Sequence, residues 1–487
     1  MSQIDRSYPL PIYYQLKTLI KQRVDAGEWK PGEQIPTEEE LCEFYQISRT
    51  PVRQALLELT REGVLTRTVG RGTFVAGETR ETRVLRVVVP DSRWQRLLES
   101  AARRWTESNP AEQLRWAFTI VPLWELHDHL TLAVAQGKAP DISVLDSVWI
   151  AEFAKRHYLC ALSDLDAGWV REAGAKFYPS LLAANSYQSE LYGVQTNADA
   201  AVLWYRRDWL AAEEIAPPRT WEELLAAGRH FRQADVRSRY GLGPHPLVFV
   251  GGRAGGETTT YQLLPVIWSA GGRLVEDGQV TLDSDATRRA LAFLQELVHT
   301  EQLAPADVTA YPWNGALEAF AEGQAAFALG GTYENFLIQH AAGWDTETFR
   351  QRAGFVPIPA TGRVPVTLAG GMTFVVYRQS SQAMLALEQL KLALSSSVLL
   401  PFSQETGQIP GLMTMTGAVQ ASGNRFLVET AEVLAQARTR PSLPAYDRIS
   451  AQFQEMVELC LTRKLTIDAA VRRAAERIGG ITGLPLA

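Results

Sequence analysis

Residues 48–75, SRTPVRQALLELTREGVLTRTVGRGTFV, set a short basic helix in front of two strand-like runs joined through two glycines and an arginine. Val52, Ala55, Leu56 and Leu59 recur at helical spacing and make an inward stripe, which leaves Arg49, Thr50 and Arg53 on another face near the positive end of the helix. Ser48 is placed to cap that helix and Pro51 falls in its first turn, where a missing N–H costs no intrahelical bond. Gly63 closes it, and Val64 to Val69 and Thr73 to Ala76 read as strands around the tip Gly70-Arg71-Gly72. Upstream, Ile12, Leu16, Leu19 and Ile20 predict a first helix ending near Gly27. Thr37 followed by Glu40 is a capping-box pattern opening a second. Three helices and a hairpin of this kind form a winged helix-turn-helix, whose basic face suits phosphates and base edges.

Seventy-odd residues of this type cannot organise the rest of a 487-residue chain, because single cores rarely grow past roughly 250 to 300 residues. Two or three domains are expected. The net charge of −6 argues against a nucleic-acid partner only if spread evenly. It is not: residues 1–77 hold ten basic and ten acidic residues, so the remainder carries the whole negative balance. The start has no basic n-region followed by an apolar run, no stretch approaches the roughly 20 apolar residues of a membrane span, and the three cysteines are far apart. A cytoplasmic protein without membrane or disulfide framework is the expectation.

The motifs PIYYQLKTLI, GEWKPG, IPTEEEL, SRTPVRQALLELTREGVL and GRGTFV, in this order over residues 9–75, resemble the DNA-binding domain of the GntR family of bacterial transcription regulators. The resemblance implies DNA contacts from Thr37, Ser48, Arg49, Thr50 and Arg53, with Gly70, Arg71 and Gly72 reaching the adjacent backbone or minor groove. It also implies a homodimer on a near-palindromic double-stranded operator. Many members have arginine where this chain has Glu39, so the operator sequence does not carry over; Glu39 is read as facing water.

Ala76 to Arg83, AGETRETR, is a polar stretch spanning at most roughly 28 Å, and its residues 78–83 read as the linker between a domain at 1–77 and a domain at 84–487. The second domain opens on the β-branched run Val84 to Val89. Strand-like and helical segments alternate from there, which predicts α/β architecture with mostly parallel sheets. The motifs APDISVLDSVWIAEFAKRHYLCALSDL, ELYGVQTNADAAVLWYRRDWL, PPRTWEELLAAGRHF, AFAEGQAAFALGGTYENF, GFVPIPATG and LAGGMTFVVY are similar, in series, to signatures of the solute-binding proteins that feed carbohydrate ABC transporters. The implied fold is a two-lobed α/β periplasmic-binding-protein-like domain of type II, with crossings near 193–198, 364–373 and 398–410 and ligand between the lobes.

Sugars favour aromatic platforms and carboxylates. The positions that match supply Asp146, Trp149, Asp199, Gly330, Gly331, Tyr333, Gly370 and Gly371, with Trp94, Trp268 and Trp313 as further aromatic candidates. Tyr205-Arg206-Arg207 departs from the pattern of those proteins and raises the case of an anionic sugar, a phosphate or uronic acid, against a solvated arginine pair. His127 and His129 are the only close histidine pair and lack ligand-spaced neighbours in sequence, so no metal is read. No P-loop, nucleophile elbow or zincin motif occurs, and no cofactor is expected. The whole reads as a non-enzymatic regulator, a sugar-sensing repressor of carbohydrate genes whose ligand is a mono- or oligosaccharide or a derivative. Two rivals are an aminotransferase-like pyridoxal-phosphate domain, which needs a Schiff-base lysine among Lys138, Lys155, Lys176, Lys391 and Lys464, and a glycoside hydrolase on a DNA tether.

Overall fold

The computed structural model describes residues 4, 11–68, 70–76, 81–110, 112–362, 364 and 366–487. Val69 and half of the expected linker, 78–80, lie outside the described residues. The chain divides into two compact units, Met1–Arg83 with Thr106–Arg115, and Val84–Trp105 with Trp116–Ala487.

In the first unit the helices are Ile12–Asp25, Glu38–Tyr45 and Arg49–Arg61. Their facing stripes, Leu16 and Ile20 from the first, Leu41 from the second and Val52, Ala55, Leu56 and Leu59 from the third, form one small core closed by Leu65 and Val75 of the hairpin. The capping box is made in full: the Glu40 N–H donates to Thr37 Oγ1 at 3.3 Å and the Thr37 N–H donates to Glu40 Oε2 at 2.7 Å. Ser48 stands at the N-cap of the third helix, but its hydroxyl makes no capping bond there. The strands Leu65–Thr68 and Gly72–Val75 pair antiparallel, Leu65 opposite Val75. Gly70 turns between them with φ of +75°, a conformation that costs a side chain dearly.

The second unit is built on two sheets, the centres of a first and a second lobe. The first runs in the order Glu112–Ile120, Glu81–Val89, Ile142–Asp146, Met372–Val376 and Gly193–Val194, the first residues of Glu112–Ile120 and Glu81–Val89 being counted with the first unit. The other is centred on Asn197–Arg206, which is buried along its whole length and flanked by Phe327–Gly331 and Ala353–Pro357. The expectation of mostly parallel sheets is overturned. Met372–Val376 runs antiparallel to both its neighbours, and Asn197–Arg206 runs antiparallel to both of its flanking strands. The cause is topological: each of these strands enters its sheet directly from the other sheet instead of returning through a helix on the same sheet, and only such helical crossovers impose the parallel direction.

The chain passes between the sheets through Gln195 and Thr196, and again at Gly371, where Gly370 still pairs with Asp199 while Met372 already pairs with Asp146. Gly371 sits at φ of +130°, and a methyl group there would lie 2.5 Å from Gln195 Nε2, so glycine is demanded twice over. Ile409–Pro410 hydrogen-bonds to the same root, opposite Ala198 and Asn197. The helix Glu257–Ser269 lies in the core of the second lobe, buried from Thr259 to Trp268, and its first turn points Glu257 toward the junction. The helix Tyr446–Leu461 packs beside it.

Candidate ligand cleft and nucleic-acid interface

At the junction of the two lobes a guanidinium is held by carboxylates from both sides. Arg440 follows a segment locked to the crossing strand, where the Ala369 N–H donates to the Arg438 carbonyl at 2.7 Å. Its Nη1 donates to Glu257 Oε1 of the second lobe at 2.8 Å, and its Nη2 to Asp146 Oδ1 of the first lobe at 3.4 Å. The Arg440 side chain is only 4% exposed, while Asp146 and Glu257 keep 21% and 31%. The same Glu257 oxygen accepts from the Tyr446 hydroxyl at 2.7 Å, and its other oxygen accepts from Ser450. Nearby, the Tyr261 hydroxyl donates to Asp199 Oδ1 at 2.7 Å, and Tyr333 meets the Tyr261 ring edge-on at 5.8 Å.

Burial raises Asp199 to about 6, because a carboxylate stripped of water favours its neutral form; its Tyr261 bond and Arg440 pull the other way. Burial likewise raises Glu257. Arg440 moves further up: burial opposes its charge, but Asp146 and Glu257 outweigh that cost. One guanidinium thus faces the carboxyl groups of Asp146, Glu257 and Asp199, and the junction offers more hydrogen-bond acceptors than positive charge. Carboxylates of this kind take paired hydroxyl hydrogen bonds.

On the first unit, Arg49, Thr50 and Arg53 are exposed at the start of the third helix. They are not free cations. Arg49 Nη2 donates to Glu39 Oε1 at 2.9 Å, so Glu39 is exposed to water and also paired with an arginine. Glu38 clamps two arginines, Arg53 at 2.8 Å and Arg67 at 3.0 Å. The hydrogen bond from Arg53 is the first cause of the lowered Glu38 pKa. At the wing tip Arg71 is exposed, and the side of Gly72 is closed by Gln34, whose amide nitrogen would stand 2.5 Å from an added methyl.

Two family assignments cover these parts. Residues 12–75 match the gntR family of bacterial regulatory proteins, and residues 94–398 match the bacterial extracellular solute-binding proteins. The chain belongs to the bacterial extracellular solute-binding protein family. A probable ABC transporter-binding protein of Deinococcus radiodurans is 24% identical over 360 residues, 72% of this chain and 81% of that one. A solute-binding protein of Thermotoga lettingae solved with alpha-D-tagatose superposes with a TM-score of 0.68 at 23% identity, covering 83% of this chain and all of that one, which shows the shared fold. The HTH-type transcriptional repressor NagR of Bacillus subtilis is 47% identical over 73 residues, 15% of this chain. This solute-binding protein chain therefore spans about 30% of the length of that repressor.

Within the solute-binding fold, Asp146, Asp199, Gly370 and Gly371 come together at the lobe junction, and Tyr333 joins them through Tyr261. Trp149 is half-buried beside Asp146, its ring 5.1 Å from that of His127. The glycines open room for the protein rather than for a ligand: a methyl at Gly330 would lie 2.0 Å from Glu334 Oε2, and one at Gly331 would lie 2.4 Å from the Tyr333 ring. Trp94 is 3% exposed, edge-on to Phe374 and tilted against Phe402, and Trp268 is 6% exposed in the second-lobe core, so neither offers a free ring face. Trp313 is an exposed surface side chain.

Arg206 and Arg207 are neither a solvated pair nor a cleft anchor. Arg206 is buried at the far end of its strand, paired with Asp208 and stacked 3.8 Å over Trp209, while Arg207 bonds the Ala353 carbonyl. Of the lysines that a Schiff base would need, Lys138, Lys155, Lys176 and Lys464 are exposed and Lys391 is bound to Asp166 at 2.5 Å. Sequence reasoning missed Arg440, Glu257, Tyr261, Glu334 and Tyr446. Glu257 and Tyr261 carried one usable signal: they open an apolar helix just after the glycine run GGRAGG. Arg440, in the proline-flanked RPSLP loop, carried none.

Proposed function

We propose that the protein is a ligand-responsive, non-enzymatic transcription regulator: a polyhydroxylated ligand taken between the lobes sets the affinity of the winged helix for a DNA operator. The observation that carries this reading is the junction cluster, Asp146 and Glu257 from opposite lobes on Arg440 beside Asp199 on Tyr261, in a chain that also holds a gntR-family segment. A cluster made from both lobes is completed only when they close, so a ligand bonded to it feels and drives closure. The excess of carboxylates favours a neutral sugar over a phosphorylated or uronic one, since an added anion would meet Asp146, Asp199 and Glu257 with a single guanidinium to balance them. The tagatose held by the solved relative and the repressor role of the gntR relative support a sugar-sensing repressor; in this reading it acts in the cytoplasm as a dimer on a near-palindromic site.

A thermal-shift screen of the full chain against neutral mono- and disaccharides, their phosphates and uronic acids is the test. At 100 times its Kd a ligand adds about 2.7 kcal/mol to stability. A neutral sugar should raise the melting temperature of the wild type and fail to do so in Asp199→Asn and Asp146→Asn. A hit that stabilises these two variants as well as the wild type would place the ligand elsewhere.

A further inference from the structure

Beside the Arg440 cluster stands a second group that the regulator reading does not use. His127 of the helix Leu123–Ala135, Glu152 of the helix Ile150–Lys155 and Asp447 of the helix Tyr446–Leu461 bring one donor atom each within 4.8 Å of one another. The first two belong to the first lobe, the third to the second. We propose that His127, Glu152 and Asp447 bind one divalent transition-metal ion of the zinc class and so tie the two lobes together.

The donor set is the first support. One imidazole and two carboxylates suit zinc, cobalt or nickel, whereas calcium and magnesium take oxygen-only shells. Three protein donors leave a fourth tetrahedral position to water or to a bound solute. The spacing is the second support. His127 Nε2 and Glu152 Oε2 are 3.2 Å apart, close to the edge of a tetrahedron whose metal–ligand distances are about 2.0 to 2.2 Å.

The surroundings are already arranged to present those atoms. Arg156 Nη2 holds the other Glu152 oxygen at 3.0 Å, which turns Oε2 toward the histidine. Asp128 lies 3.5 Å from His127 Nδ1, so once a metal takes Nε2 the Nδ1–H has a carboxylate to donate to, the usual outer support of a ligating imidazole. The rings of Trp149 and Phe153 stand 5.1 and 5.5 Å from the imidazole and fix its plane. Metal and protons compete for these donor atoms, so affinity falls on acidification. Asp447 follows Tyr446, which bonds Glu257, so the metal and the solute cleft share one helix turn.

The test uses the full chain, stripped with chelator and titrated with Zn2+ against a chromophoric competitor, with Co2+ as a spectroscopic probe. The wild type is expected to take up one ion per chain and give the visible absorption of tetrahedral cobalt. His127→Ala and Asp447→Asn should each weaken Zn2+ binding at least about 100-fold and lose the cobalt bands, and Asp128→Asn, at an exposed position, should weaken it by about 10- to 100-fold. Absence of stoichiometric Zn2+ binding in the wild type, or wild-type affinity in Asp447→Asn, whose side chain is exposed and whose folding is not at risk, overturns the proposal. Unchanged affinity in Asp128→Asn removes the supporting role given to that carboxylate.

Discussion

Glu334 is 1% exposed, and its Oε2 accepts from the Gly331 N–H at 3.1 Å and from Trp204 Nε1 at 3.0 Å. Burial is the largest influence on it and raises its pKa to about 8, against those two hydrogen bonds. An acid whose folded pKa lies above its unfolded one binds its proton more tightly in the native state. Its contribution to stability is therefore full below the unfolded value and is lost as pH rises toward 8, at up to about 1.4 kcal/mol per pH unit. Glu334→Gln, which keeps an acceptor for both donors, should flatten the fall in melting temperature between pH 5 and 8 and melt higher than the wild type at pH 8. Parallel melting curves for the two proteins across that range would show that Glu334 does not titrate there. The residue also shows what a sequence can reveal. Asp146 and Asp199 are legible because they sit at motif positions near strand termini, Asp146 at the end of Ile142–Asp146 and Asp199 near the start of Asn197–Arg206. Glu334, in the stretch GGTYENF, carries no such signal, since nothing in sequence distinguishes a carboxyl that fills the space beside Gly330 from one in solvent. Arg440 was beyond reach altogether, because its partners Asp146 and Glu257 come from distant parts of the chain.

At the level of elements, the winged helix was largely readable, for its helices are specified by local signals: the Thr37–Glu40 box, the stripe from Val52 to Leu59, and Gly27 and Gly63 at two of the three exits. Sheet direction was not, since a buried apolar run looks the same whichever way it enters. Side-chain pairing between elements was also hidden, and there it changes the account of DNA binding. The second helix supplies Glu38 and Glu39 to Arg49, Arg53 and Arg67, so in the proposed DNA complex phosphates would displace these carboxylates from the arginines. Exposed ion pairs add little and yield readily. Glu38→Gln should then raise non-specific DNA affinity and steepen its salt dependence, since more cations compete for phosphate, while Arg53→Ala should lower operator affinity about tenfold or more if it reads a base. Gel shifts at two salt concentrations separate the outcomes. Weaker binding in Glu38→Gln would mean that the carboxylate orients the arginines for DNA instead of competing for them.

For the whole molecule, the proposed regulator requires that two sites in one chain share free energy. A solute that completes the junction around Arg440 changes the balance of lobe conformations, and an operator bound by the winged helix must change the same balance if the two are linked. Linkage makes the effect reciprocal: whatever factor the solute imposes on operator affinity, the operator imposes on solute affinity, with about 1 to 3 kcal/mol, or 5- to 150-fold, as the usual range. The expected direction is release of DNA by the solute, as for an inducer of catabolic genes. Four measurements close the cycle: solute affinity with and without operator, and operator affinity with and without solute. The sum around the cycle must vanish, which guards against error. Asp146→Asn provides the internal control, because it removes a first-lobe partner of Arg440 and leaves the winged helix untouched. It should bind operator like the wild type in the absence of solute and lose the response to it. A sugar that binds tightly to the wild type yet leaves operator affinity unchanged would separate the two activities and remove allosteric sensing from the account of this protein.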